Sequence, residues 1–417
     1  MPSVTPVLQR HWPSSWPARP LLLLSMAVAC AALTACGTSK PALPAPGTLP
    51  SLSLSASVQP SQEEAPDERL SGAVQTQAVP DKQALAIQPL AGNPNPDGYA
   101  AREDAQQLAA ELARSLELDP QWVWNAIAKA RYKESAAKLM MPAGPGTAKN
   151  WGVYRSRFVE PIRIRAGVNF WRRYEADLKR AESIYGVPAS IIAGVLGVET
   201  IYGRQTGNFR VLDVLTTLTL DFPKGRSDRS AFFKTELGEF LKFCQEQQLE
   251  PDTVLGSYAG AIGLPQFMPS SIRRYAVDFD GDGHIDLLRS PVDAIGSVAH
   301  YLAEQGWQPD WPTYFDIKPP QDEQALAKLL APDIVPSFSA TDMQEMGASL
   351  SPTGQNHPGQ LALVLLQNGN DAPTLIAGTS NFYAITRYNQ SSYYALAVIQ
   401  LGEVVSREAA RQNTQTP

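Results

Sequence analysis

Cysteine is scarce in this chain: three in 417 residues, of which only Cys244 lies beyond the first 36 positions. The remainder can therefore hold neither an internal disulfide nor a cysteine metal cluster, and its stability must come from packing. Cys244, in Phe240-Leu241-Lys242-Phe243-Cys244, reads as a small apolar core residue. Histidine is also sparse, and His300 and His357 have no ligand partners by spacing. Basic residues do not outnumber acidic ones: 35 Lys and Arg against 41 Asp and Glu leave a net charge of −6, which argues against a nucleic-acid partner. No internal repeat is evident. Hydrophobic residues make up 44%, enough for ordinary cores, and the length leads us to expect two or more domains.

The N-terminus is a targeting segment. Arg10, His11 and Arg19 precede an apolar run from Leu21 to Leu33, too short to span a bilayer comfortably. The run ends in Leu33-Thr34-Ala35-Cys36-Gly37, which resembles the bacterial lipobox and implies lipidation of Cys36. A plain signal peptide or an uncleaved anchor helix is the alternative. Gly37, rather than Asp, after the Cys implies by resemblance an outer-membrane destination. Residues 37–97 are rich in Pro, Ser, Ala and Gln and read as a disordered tether, spanning about 40–45 Å for roughly 60 flexible residues.

Helical periodicity begins near Tyr99. Leu108, Leu112 and Leu116 recur every fourth residue, and Asp119-Pro120 is a cap-then-proline start for a helix carrying Trp122, Ile127 and Tyr132. Phe170–Tyr185 reads as one amphipathic helix ending at Gly186, and Pro188 opens the next. Further helices are expected over Ser230–Gln247, Pro291–Gln305 and Asn381–Val405, with residues 406–417 a disordered tail. Between them, residues 309–379 carry proline pairs, short apolar runs (Ile334-Val335, Leu361–Leu366, Thr374–Ile376) and the turn dipeptide Asn368-Gly369. They predict a small antiparallel β subdomain. Trp122, Trp124, Trp151, Trp171, Trp307 and Trp311 read as core rather than as sugar platforms.

The helix opened by Pro188 carries one acid, Glu199, on a face with Ile192, Val195 and Leu196. Lost hydration and the negative end of the helix dipole both favour the protonated carboxyl, as a general acid near neutrality requires. The alternative is a Glu paired with Arg204 or another cation at a helix end. Residues 256–271 are dense in small residues, with Ser257 and Gln266 set among aromatics. Such a segment suits close approach of backbone to a bulky ligand or, alternatively, tight inter-helix packing.

Three separated motifs, Gly197-Val198-Glu199-Thr200-Ile201-Tyr202-Gly203, the run Ser257–Ser271 and the run Asn381–Ala395, together resemble the membrane-bound lytic murein transglycosylase B family from about Tyr99 to Val405. The resemblance implies a mainly α (α+β) protein. A helical domain (98–185) would flank a lysozyme-like core (186–308), followed by the β subdomain and a C-terminal helix (380–405) completing the core. It implies cleavage of the β-1,4 bond from N-acetylmuramic acid to N-acetylglucosamine in peptidoglycan, leaving 1,6-anhydromuramic ends, with no catalytic cofactor. Glu199 would be the acid/base, and Ser257, Gln266, Tyr301, Tyr388, Asn389 and Tyr394 would line the substrate. An extra residue precedes the helix of Tyr301. A lysozyme-like hydrolase and a non-catalytic wall-binding lipoprotein are the competing readings. No second carboxylate adjoins the motifs, although Asp213 and Asp221 are near in sequence.

Asp278-Phe279-Asp280-Gly281-Asp282-Gly283-His284-Ile285-Asp286 matches the start of an EF-hand loop, a pattern of oxygens suited to Ca²⁺. Arg289 stands at the twelfth place instead of Glu, and the family pattern suggests closure by Asp293. The expected ligands are Asp278, Asp280, Asp282, the His284 carbonyl and Asp293, holding a structural ion.

Overall fold

The computed structural model describes residues 98–141, 149–225 and 227–413. Cys36, the 37–97 tether and the last four residues of the expected tail lie outside them. Its centre is the helix Ala189–Thr200, whose sequence is apolar on every side, as a fully enclosed helix must be. Every residue in it is buried except Ser190 and Glu199, one near each end.

The C-terminal helix Ser392–Asn413 lies antiparallel against it. The approach is close because it is made at glycines: a Cβ on Gly194 would sit 2.3 Å from the Val398 carbonyl oxygen, and one on Gly402 2.0 Å from that of Ser190. The helix Pro161–Arg173 packs on both. On the N-terminal side, Glu103–Leu116 and Pro120–Ala128 pack with Val211–Leu220 and Ser230–Glu246. Leu108 and Leu112 are buried, and the Asp119 carboxylate accepts the Trp122 N–H at 2.7 Å, capping the helix where the sequence predicts. Tyr132 falls beyond this helix and is 42% exposed, so it is not one of the helix's core positions.

Two expected helices are each two. The stretch to Tyr185 breaks at Tyr174, giving Pro161–Arg173 and Glu175–Tyr185, with Gly186 closing the second in the left-handed region. The C-terminal stretch breaks at Gln390 (φ 35°), between Ser380–Asn389 and Ser392–Asn413. Periodicity cannot reveal such breaks, because apolar spacing resumes within a residue or two on either side. The last helix also continues to Asn413, past the expected end at Val405, with Ala409 buried.

The β subdomain is a four-stranded antiparallel sheet in the order Ser349–Leu350, Tyr314–Lys318, Asp371–Gly378, Ala362–Asn368. Asn368 and Asp371 pair across the expected turn, with Gly369 at φ 66°. Alternation serves both faces of the hairpin. Ala362, Val364, Leu366 and Ile376 join the main core, while Leu361, Leu363 and Ala377 join a second cluster with Phe315, Leu329 and Met343. The main core itself runs without a break from Tyr99 to Ala299 and on into the C-terminal helix. Ile334-Val335 forms a turn, not a strand: Pro332 and Pro336 flank it and lack the N–H a ladder needs. Short helices at Glu323–Leu330 and Ala340–Glu345 complete this part. Among the described residues no single helix is long and apolar enough to cross a membrane.

Candidate active site

Glu199 occupies the last turn of the central helix. The chain leaves that helix through two successive left-handed residues without glycine, Ile201 (φ 52°) and Tyr202 (φ 57°), whose N–H groups return to the Gly197 and Leu196 carbonyls. A β-branched residue in this region is strained and needs its surroundings to hold it. The Tyr202 ring supplies part of that hold. It packs on Phe170 (5.1 Å between centroids) in a space left by two glycines, since a Cβ on Gly167 or Gly197 would collide with its hydroxyl. Buried Arg163 donates from Nε to the Gly197 carbonyl at 2.8 Å, meeting the negative end of the helix.

Among the described residues no cation stands beside the carboxyl of Glu199; Arg204 is exposed and makes no ion pair with it. Although the residue is only partly shielded overall, its carboxyl lies deep. Loss of water pushes its pKa from 4.5 to about 7, against a smaller opposing pull from the Tyr394 hydroxyl, which donates to Oε1 at 2.6 Å. A wall of rings surrounds this bond. Tyr388 lies 4.7 Å from Tyr301 and 6.2 Å from Tyr394, and Phe267 packs against Tyr301 (5.5 Å) and Tyr388 (5.8 Å). Burial and the nearby Glu199 charge raise all three tyrosine hydroxyl pKa values, so these groups remain neutral donors. Tyr301 spends its hydroxyl on the Arg387 carbonyl at 2.9 Å. The Tyr388 hydroxyl and the Asn389 amide oxygen are buried without a hydrogen-bond partner among the described residues. Buried polar atoms of this kind are rare unless a ligand or water completes them.

Ser257 and Gln266 hold their own loop. Ser257 Oγ accepts the N–H groups of Ala259 (3.3 Å) and Ala261 (3.0 Å), and Gln266 Nε2 donates to the Thr206 (3.1 Å) and Gly263 (2.8 Å) carbonyls. Each keeps free capacity: one hydroxyl hydrogen on Ser257, one amide oxygen on Gln266. The loop reaches Glu199 through Thr200, whose place in the first motif carries no local sign of this role. Thr200 Oγ1 donates to the Leu264 carbonyl at 2.9 Å and accepts the Gly203 N–H. Phe267 lies inside the Ser257–Ser271 motif, whereas nothing in the local sequence marks Arg163 as part of the site. Asp213 and Asp221 belong elsewhere. Asp213 accepts the Arg131 N–H and faces Arg210, and Asp221 pairs with Arg102 and accepts from Tyr99.

The structure gathers Asp278, Asp280 and Asp282, their nearest carboxylate oxygens all within 4.8 Å of one another. Gly281 and Gly283 turn the loop at φ 78° and 93°, and the His284 N–H donates to Asp282 at 2.8 Å. Among the described residues none of the three acids is in an ion pair, so the cluster fits a hard cation. Asp293 is not part of the group. Its carboxylate accepts the N–H groups of Phe279 (2.8 Å), Asp280 (3.2 Å) and Asp286 (2.9 Å), so it holds the loop together from inside. The loop joins the site through Leu287, whose carbonyl accepts the Leu264 N–H at 2.9 Å.

The transglycosylase SLT domain pattern matches residues 100–403. Membrane-bound lytic murein transglycosylase B of Escherichia coli K12 is 38% identical over 320 residues, 74% of this chain and 84% of that protein. Among solved structures, the soluble lytic transglycosylase SltB1 from Pseudomonas aeruginosa is 39% identical with a TM-score of 0.67, covering 74% of this chain and 99% of that one. The Escherichia coli lytic transglycosylase Slt35 in complex with calcium is 37% identical with a TM-score of 0.65, covering 78% and 100%.

A raised acid pKa drains stability above the value of the free side chain. From pH 4.5 to about 7 the folded protein holds a proton on Glu199 that the unfolded chain has released, so stability falls across that window and levels off above it. The difference is worth up to about 3 kcal/mol. Glu199→Gln should therefore melt higher than the parent protein at pH 8 and about equally at pH 4.5; a lower melting temperature at pH 8 would show that the carboxylate is not desolvated.

Proposed function

The chain belongs to the SLT-domain lytic transglycosylases and is a peptidoglycan lytic transglycosylase of mainly helical, lysozyme-like fold, and we propose that Glu199 is the single group serving as both its acid and its base. The observation that carries this reading is one carboxyl, desolvated to a pKa of about 7, held by a tyrosine hydroxyl beside two unpartnered buried polar atoms.

Glycosidases with two carboxylates place them at a set separation across the scissile bond. Here the candidate partners Asp213 and Asp221 are engaged elsewhere, so the sugar supplies the nucleophiles. Protonated Glu199 gives its proton to the bridging oxygen as the bond from the muramic anomeric carbon breaks, and the N-acetylglucosamine leaves with that proton. The muramic acetamide oxygen bonds to the anomeric carbon in its place. Glu199, now a carboxylate, takes the proton of the muramic 6-hydroxyl, whose oxygen displaces the acetamide and closes the 1,6-anhydro ring. No water is consumed, and Glu199 ends protonated. The Tyr388 hydroxyl and Asn389 amide suit orientation of the acetamide, and the Tyr394 hydroxyl steadies Glu199 while it is charged. Ser257, Gln266 and Tyr301 line the approach.

Asp278, Asp280 and Asp282, with the His284 carbonyl, hold Ca²⁺ as a structural ion. The clustering of the acids and the calcium complex of Slt35 support this. Cys36 carries the lipid that anchors the body in the periplasm, at the outer membrane; the membrane-bound relative supports that location.

Glycan digested by the protein should yield ends one water lighter than hydrolysis gives, read by mass spectrometry. Activity should fall as pH rises through about 7, where Glu199 loses its proton, and Glu199→Gln should retain the fold and lose nearly all turnover. Reducing ends in the digest would make the protein a hydrolase, and wild-type turnover in the variant would remove Glu199 from the chemistry. Calorimetry on chelator-stripped protein should show Ca²⁺ binding at or below millimolar concentration that Asp280→Asn abolishes; no heat in the parent protein refutes the ion. Cys36→Ala should move the protein from the membrane to the soluble fraction, and an unchanged distribution refutes lipidation.

A further inference from the structure

Among the described residues three acids are buried as whole residues: Asp213, Glu236 and Asp293. A buried carboxylate is costly unless a cation or several donors meet it. Asp213 faces Arg210, and Asp293 braces the acidic loop with three N–H groups. Glu236 is only 2% exposed, in the middle of the helix Ser230–Glu246 and on a face with the buried Phe233, Leu237 and Phe240. Among the described residues no cation forms an ion pair with it; Arg274 and Glu239 act on it from farther off with opposite sign. Burial pushes its pKa up, and the two hydrogen bonds that it accepts pull the other way.

Both bonds come from one residue at the end of the substrate loop. Ser270 donates its N–H to Glu236 Oε2 at 2.9 Å and its hydroxyl to Oε1 at 2.7 Å. Ser270 is the second residue of the helix Pro269–Tyr275, where Met268 provides no side-chain cap and Pro269 has no N–H. Glu236 therefore supplies from a neighbouring helix the acceptor that a local cap would have supplied. The loop between its anchors is short: Leu264 is held by Thr200 and Leu287, and Ser270 by Glu236. Between these two points lie Phe267, packed on Tyr301 and Tyr388, and Gln266. The Gln266 backbone is left-handed (φ 52°), a conformation that a non-glycine residue keeps only when its surroundings hold it. Arg273 ties the same short helix to Ser230–Glu246 at the surface, through Glu239 and Glu246, but it does so beyond the loop and where water screens the charges.

We infer that Glu236 is a positioning residue for glycan cleavage: through Ser270 it fixes the exit of the substrate loop, and with it the place at which Gln266 meets the glycan. The inference rests on peptidoglycan being the substrate and on Gln266 lining its approach. Glu236 touches neither Glu199 nor the sugar. Its loss leaves the bond between Tyr394 and Glu199 as it is and frees the stretch from Leu264 to Ser270 to leave its strained conformation. The effect therefore falls on glycan binding and not on the chemical step.

Two measurements test this with soluble oligosaccharides of alternating muramic acid and glucosamine: calorimetric binding in the Glu199→Gln background, where nothing is cut, and kcat and KM for anhydro-end formation with Glu199 present. Glu236→Met should weaken binding and raise KM by about tenfold, and Ser270→Ala by about threefold, with kcat within about twofold of the parent value. Glu236→Gln should bind within about twofold of the parent, because its amide can accept the Ser270 N–H and donate to the Ser270 hydroxyl. Arg273→Met, which releases the body of the same helix, should leave binding unchanged. Gln266→Ala should weaken binding in the parent and add little in Glu236→Met, since two residues acting through one contact do not add. A fall in kcat at constant KM, equal losses in Glu236→Gln or Arg273→Met, or fully additive losses for Glu236→Met and Gln266→Ala would each overturn the inference. If Glu236→Met does not fold, Ser270→Ala decides, and parent-like binding in that variant overturns it. Absence of anhydro ends from the parent digest would instead count against the catalytic reading, because binding is measured without turnover.

Discussion

A carboxyl group at the end of an apolar helix loses more water than the protein around it replaces, and that imbalance governs this structure. The helix Ala189–Thr200 is enclosed on all sides, so Glu199 has one strong partner, the neutral hydroxyl of Tyr394. A cation in that place would have lowered the pKa and left a permanent carboxylate. A hydroxyl stabilises the charged form only modestly, so burial prevails and the proton is held near neutrality. The tyrosines beside it provide donors that stay neutral, and thus add no charge of their own to the balance.

Keeping that carboxyl in place requires neighbours drawn from distant parts of the chain. Thr200 ties the helix end to Leu264, Leu264 to Leu287, and Leu287 belongs to the acidic loop that Asp293 closes from within. Arg163 meets the helix end from another side. Glycines make these approaches possible, and the clearest case is the contact of Gly194 and Gly402 with backbone carbonyls, where any side chain would force the helices apart.

Much of this was legible in the chain. The Asp119-Pro120 start, the Gly186 stop and the Asn368-Gly369 turn are local, and each forms as its chemistry dictates. The acid on an apolar helix was visible for the same reason. Local signals failed where the outcome depends on partners far away in sequence. The Gln390 break, which separates Tyr388 and Asn389 from Tyr394, lies within continuous helical periodicity. Asp293, which the family resemblance makes a ligand, accepts three backbone N–H groups from the loop it closes. Trp311 reads as core, yet its ring lines an open cleft.

The amino-acid sequence alone determined the helical character, the β hairpin, the lone acid at position 199 and the acidic loop, because each depends on residues within a turn or two of one another. Only the tertiary structure decided that Tyr394 rather than a cation meets Glu199, and that Thr200 anchors the loop of residues 256–271 through the Leu264 carbonyl. Those pairings join residues up to 195 positions apart, and it is the packing of whole helices, made close by glycine, that selects which groups share so small a volume.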